Sequence, residues 1–189
     1  MARRMIINGK NVSIDRYGRQ LDSQRKKLYE FEWKFSQANT SYLSKKECQQ
    51  LANKALRWWN GRMGNNHIEI IFNTQSEYDD RRLSSNANCN RIKLQTEWAM
   101  NHYVVLHEVA HVIMDRDNRL KNLSPHGAEF ARIMLKLYSR FLKKQEVYFN
   151  SEKIIPTYSE LRKLAKSHKV KVSGSKLHDK TSIKPKRNI

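Results

Sequence analysis

Apolar residues recur along this chain at two different periods, and the points where the period changes divide it into elements. From about Leu21 to Ala38, the residues Leu28, Phe31, Phe35 and Ala38 fall at helical spacing, with Asp22 or Ser23 placed to cap the start. Tyr29 and Trp33 on the same helix are expected to pack in the core, the usual place for such aromatics, with a recognition surface as the alternative. Ser44-Lys45-Lys46-Glu47 reads as a capping box, with Leu43 and Cys48 as its hydrophobic staple. The stripe Cys48, Leu51, Ala52, Ala55, Leu56 and Trp59 then runs to a stop at Asn60-Gly61, while Trp58 points elsewhere, to a boundary or surface contact. The period next becomes two. Ile68, Ile70 and Phe72 alternate in a strand over 67–72, and Ile92 and Leu94 alternate with Arg91 and Lys93 over 89–94. Charged side chains on one face mark this second strand as an edge, and the polar residues from Asn73 to Asn88 read as a loop. At the start of the chain, two short apolar arms flank Asn8-Gly9, the signal of a tight hairpin, with a mobile arm as the alternative.

From Val104 to Met114 the chain is apolar nearly all round, which describes a buried helix; Thr96 or Asn101 would cap it, and it should end near Asp115. Ser124-Pro125 has the form of an N-cap followed by a first helical residue. The helix it would start buries Phe130, Ile133, Met134, Leu137 and Phe141, and turns Lys136, Arg140, Lys143 and Lys144 outward or toward an anion. A further capping box, Thr157 to Glu160, opens a helix with a small apolar face of Leu161, Leu164 and Ala165. Helices mixed with short strands imply an α+β fold. The expected organisation is a hairpin or arm over 1–18, a compact domain with a short mixed or antiparallel sheet over 19–150, and a basic extension over 151–189.

The buried helix carries the chemistry. His107-Glu108-Val109-Ala110-His111 places two imidazoles one turn apart, about 40° around the axis, so that both face one point. Glu108 stands beside them, where a carboxylate can reach a water without binding the metal itself. A hydrolytic zinc site needs three protein donors and one open position, and the third donor is either His126 or Glu129. The bland reading is a chance match among seven histidines, giving a polar cluster in the core. Burial argues against it: buried imidazoles and a carboxylate need partners, and a metal ion supplies one to all three.

Composition changes the picture in one respect. Apolar residues make up 39% of the chain, enough for a core, but the net charge is +19 and the pI about 10.1. Such an excess points to a polyanionic partner, nucleic acid first and an anionic membrane surface second. From Leu161 to Ile189 there are ten Lys or Arg residues against one acid, Asp179. Arg162, Lys163, Lys166, Lys169, Lys171 and Lys176 are the candidate phosphate contacts, with a solvated tail as the alternative. No apolar run approaches the length of a membrane span, and the first residues break too early for a signal peptide. The expectation is a soluble monomer of the cytoplasm or nucleoid, or of a host cytoplasm if the chain comes from a phage. Cys48 and Cys89 fit neither a disulfide framework nor a zinc ribbon.

His107-Glu108-Val109-Ala110-His111 followed by His126-Gly127-Ala128-Glu129-Phe130 resembles the HExxH and HGxxF pair of SprT-like zinc metalloproteases, the group that includes the Spartan proteases acting on DNA-protein crosslinks. Asp22-Ser23-Gln24-Arg25 through Tyr29 and Glu30 also resembles the opening of a family of predicted metallohydrolases found in phages and actinobacteria. The likeness extends from about Asp22 to Phe141. It implies a zincin-like domain in which His107, His111 and His126 bind Zn2+, Glu108 is the general base, and the strand near Ile92 is the edge along which a peptide lies. It favours His126 over Glu129. The segment from Tyr158 to Lys176 is similar to the first half of the SAP and Rho N-terminal helix-loop-helix modules, which bind DNA or RNA, but the second helix is missing. The implied function is peptide-bond hydrolysis on DNA-associated or DNA-crosslinked proteins. The alternatives are a nucleic-acid-binding or virion-associated structural protein with a vestigial metal site, and a metal-dependent hydrolase of another bond.

Overall fold

The computed structural model describes residues 3–7, 10–14, 22, 24–36, 42–61, 66–72, 86–94, 97–120 and 123–174. Ser23, Ala38, Thr96, Lys176, the Asn8-Gly9 turn and most of the expected loop after Phe72 lie outside these residues. The order of elements is β1 (Arg3–Ile7), β2 (Lys10–Ile14), α1 (Arg25–Ser36), α2 (Lys45–Asn60), β3 (Glu69–Phe72), β4 (Asn86–Ala87), β5 (Arg91–Leu94), a 3-10 turn (Glu97–Ala99), α3 (His102–Arg116), α4 (Ala128–Phe141), β6 (Val147–Phe149), β7 (Glu152–Ile154) and α5 (Tyr158–Ser167). The fold is α+β. β1 and β2 form the expected antiparallel hairpin, with Arg3 opposite Ile14 and Ile7 opposite Lys10.

α3 is the central element, and α2 and α4 pack against it. Ten of its residues are buried, from Tyr103 to Met114. Asn101 caps it, its side-chain oxygen accepting from the Val104 amide at 3.0 Å. α2 begins with the expected capping box: the Glu47 amide donates to Ser44 Oγ at 3.2 Å and the Ser44 amide donates to Glu47 Oε2 at 2.8 Å. On α1, Leu28, Phe31 and Phe35 are fully buried, and Phe35 meets Phe149 with ring centroids 4.8 Å apart. Trp58 is partly buried and stands edge-on to Phe141 at 6.1 Å.

The sheet that carries β5 differs from expectation. Its order is β3-β5-β4, so β5 is the middle strand, parallel to β3 and antiparallel to β4. Alternation along β5 holds, since Ile92 and Leu94 are buried and Arg91 is exposed. The strand is nevertheless not an edge, because two residues from the expected loop, Asn86 and Ala87, pair with it. The other side of β3 is occupied by α2. Gln49 Nε2 donates to the Ile68 carbonyl at 2.6 Å, the Ile70 amide donates to Gln49 Oε1 at 3.2 Å, and the Ile68 amide donates to Asn53 Oδ1 at 3.3 Å. Arg116, at the end of α3, ties down both strand starts by donating to the carbonyls of Cys89 at 2.7 Å and His67 at 2.9 Å.

The C-terminal segment is continuous with the core as far as Gly174. β6 and β7 form a hairpin across the expected boundary at 150/151, turning through Asn150 and Ser151, both with positive φ (51° and 67°), as a two-residue I′ turn requires. α5 packs on α4, burying Leu161 and Ala165, and Val170 is buried beyond it. Thr157 Oγ1 accepts from the Glu160 amide at 3.2 Å, the N-cap half of the expected capping box. After α5 the chain runs back along the domain. Lys171 exchanges two hydrogen bonds with the Gln24 side chain, at 2.8 and 3.1 Å, and the Ser173 amide donates to the Ala128 carbonyl at 3.0 Å. Among the described residues no helix is long and apolar enough to cross a membrane.

Candidate metal centre

α3 presents His107 and His111 on one face, their ring centroids 4.9 Å apart. The third imidazole arrives by a route the spacing did not indicate. Ser124 does not cap α4: the cap position belongs to Gly127, without a side-chain bond, and Ser124 to Gly127 form a separate turn closed by the Gly127 amide on the Ser124 carbonyl at 2.9 Å. His126 therefore lies in that turn and not in the first turn of the helix. The turn is tight enough to exclude a side chain at Gly127, where a Cβ would come within 2.9 Å of Ser124 Cβ and 3.1 Å of its carbonyl oxygen.

His111 Nε2 lies 3.2 Å from His107 Nε2 and 3.1 Å from His126 Nε2, so three ring nitrogens converge on one point. Each of the flanking rings is fixed through its other nitrogen. His107 Nδ1 meets the Glu32 carboxylate at 2.8 and 3.0 Å, and His126 Nδ1 meets Asp22 Oδ2 at 2.5 Å. With Nδ1–H donating to a carboxylate in both, the Nε2 lone pairs of His107 and His126 are directed inward. Glu32 is itself held by the Tyr138 hydroxyl, which donates to Oε1 at 2.7 Å. Three nitrogen donors bound to zinc at 2.0–2.1 Å in a tetrahedron stand about 3.3 Å apart, close to the separations here, so the set fits that ion. Glu129 is not part of it; its Oε2 accepts from Arg132 Nε at 2.8 Å.

Glu108 is 4% exposed, and its Oε2 has no hydrogen-bond partner. Burial pushes its carboxyl up to about 7; the neighbouring His107 opposes this and Glu32 adds to it. Burial alone would lower His107, but the charge and hydrogen bond of Glu32, together with the charge of Glu108, outweigh it and the ring ends above its ordinary value. His111 is held well below the ordinary histidine range by burial and by the two neighbouring imidazoles, which keeps it a neutral donor.

Asp22, Glu32 and Tyr29 are the site residues that sequence reasoning missed. Asp22, one of the two candidate caps, does not cap α1, which starts at Arg25, and orients His126 instead. Tyr29 and Trp33 are not core residues: they are 42% and 51% exposed. Arg25, Tyr29 and Glu32 form a polar stripe beside the buried Leu28, Phe31 and Phe35, and this stripe faces the imidazoles. A carboxylate and a phenol spaced three apart next to a buried helical stripe were the available signal.

Of the candidate phosphate contacts, Lys163, Lys166, Lys169 and Lys171 are exposed and Arg162 is half-buried. The Lys171 backbone pairs with Gln24, two residues from Asp22, so the basic segment runs beside the centre. A scan against protein-family models, a search of curated proteins and a search of solved structures each returned no match.

Proposed function

We propose that the chain is a zinc-dependent metallopeptidase. The observation that carries this reading is the pairing of three converging Nε2 atoms with a buried glutamate whose Oε2 has no partner. A purely structural zinc site has no use for such a carboxylate, which costs about 1–3 kcal/mol to leave unsatisfied. Zinc at His107, His111 and His126 would polarise the scissile carbonyl and acidify the attacking water. Glu108 takes the proton from that water and passes it to the leaving nitrogen. Burial raises this carboxyl to about 7 in the metal-free protein, and a dication held by the three imidazoles would draw it back toward the ionised form that a general base needs. The peptide lies along β4, since Gln49 and Asn53 occupy the outer side of β3 and β5 is interior. The resemblance to Spartan-type proteases and the lysines along α5 favour DNA-bound proteins as substrates.

The test is Glu108→Gln in the zinc-loaded protein with casein as substrate. Zinc content should match the parent while cleavage falls by at least about a hundredfold. A variant that cleaves as fast as the parent removes Glu108 as the base. Cleavage of a DNA-bound protein should also rise when single- or double-stranded DNA is added, and the rise should fade with salt. DNA binding with no cleavage by the zinc-loaded parent would favour the nucleic-acid-binding structural protein instead.

A further inference from the structure

Tyr29 projects from α1 at the edge of the three imidazoles. Its ring stacks on His107 with centroids 5.7 Å apart and stands edge-on to His126 at 5.2 Å. Its hydroxyl is 3.3 Å from His126 Nε2, yet the residue is 42% exposed. Ring and hydroxyl both touch the donor cluster, yet the residue stays partly open to solvent. The Arg25 guanidinium lies over the ring, 5.4 Å from its centroid, and donates a hydrogen bond to the hydroxyl oxygen, which leaves the phenol proton free to point elsewhere. Glu32, one turn further along the same helix, is bonded to His107, so the helix that orients the ligand also sets the phenol.

With the His126 lone pair committed to a metal, the phenol would lose that acceptor. Its proton is then available to another oxygen in the same few ångströms. We propose that Tyr29 is a catalytic residue whose hydroxyl donates a hydrogen bond to the scissile carbonyl oxygen as that oxygen gains negative charge. The proposal rests on the peptidase reading and adds a donor to it. The phenol stays intact throughout, since it donates a hydrogen bond without transferring its proton, and the proton that moves is the one carried by Glu108.

Tyr29→Phe in the zinc-loaded protein tests this, because it removes one oxygen and keeps the ring contacts. Zinc content and thermal midpoint should stay at parental values, KM should stay within about twofold, and kcat should fall by about 10- to 1000-fold. Calorimetry with a phosphinic peptide, whose tetrahedral centre mimics the charged oxygen, should show affinity weakened by a similar factor. Parental kcat and parental phosphinate affinity would overturn the assignment. So would a loss confined to KM, or a fall in zinc content, either of which would make Tyr29 a packing or positioning residue. If the zinc-loaded parent neither cleaves peptides nor binds the phosphinic peptide, the peptidase reading itself fails.

Discussion

Burial holds the Glu108 carboxyl at a pKa of about 7, while the same group in an unfolded chain titrates near 4.3. A carboxyl raised by folding leaves stability intact below its unfolded pKa and withdraws it as pH rises toward its folded pKa. In the metal-free protein the penalty should therefore grow between about pH 4 and pH 7 and be complete above that. Metal-free Glu108→Gln should be more stable than the parent by about 2–4 kcal/mol in urea at pH 8, with the difference vanishing near pH 4. A parent and variant that unfold together at both pH values would show that Glu108 is not strained. The two carboxylates behind the ligands make a separate case. Asp22→Asn and Glu32→Gln keep all three histidines, yet each should weaken zinc binding about 10- to 100-fold in competition with a chromogenic chelator. The difference in legibility at this scale has a simple cause. His107, Glu108 and His111 share one helical turn, so their spacing already implies a common face. Asp22 and Glu32 reach partners 104 and 75 residues away, and no local pattern encodes that.

Elements whose signal is local were readable, and those defined by a distant partner were not. The box at Ser44 is a contact between residues three apart, and it forms as its letters imply. The same reasoning failed at Ser124-Pro125, where the letters of a cap form a tight turn instead and the helix starts at Ala128. β5 shows the failure for strands: alternation correctly placed Ile92 and Leu94 inside, but a strand's rank in its sheet depends on which segments pair with it. The Ser124–Gly127 turn carries its own prediction. Gly127→Ala brings a methyl group within 2.9 Å of Ser124 Cβ, so the turn must open and move His126. The expected result is a loss of about 1–3 kcal/mol in denaturation with a parallel loss of zinc affinity, both absent if the turn absorbs the methyl.

At the scale of the whole molecule, the described part of the basic extension is both packed and charged. Up to Gly174 it is part of the core, through Leu161, Ala165 and Val170, and periodicity alone showed only a small apolar face there because the matching surface on α4 is far away in sequence. Its exposed lysines give that packed segment its charge. A chain cut after Pro156 keeps every ligand but loses the strap formed by Lys171 on Gln24 and Ser173 on Ala128. It should bind zinc more weakly and be digested faster by trypsin than a chain cut after Gly174, and equal behaviour of the two would show the strap to be idle. The strap also bears on synthesis. A ribosome releases the histidines well before Lys171 and Ser173, which bond to Gln24 and to Ala128, so a nascent chain has its imidazoles before it has this strap. The backbone beside His126 would gain its last tie only after Ser173 has emerged, so a nascent chain should reach its full affinity for a metal ion late in synthesis.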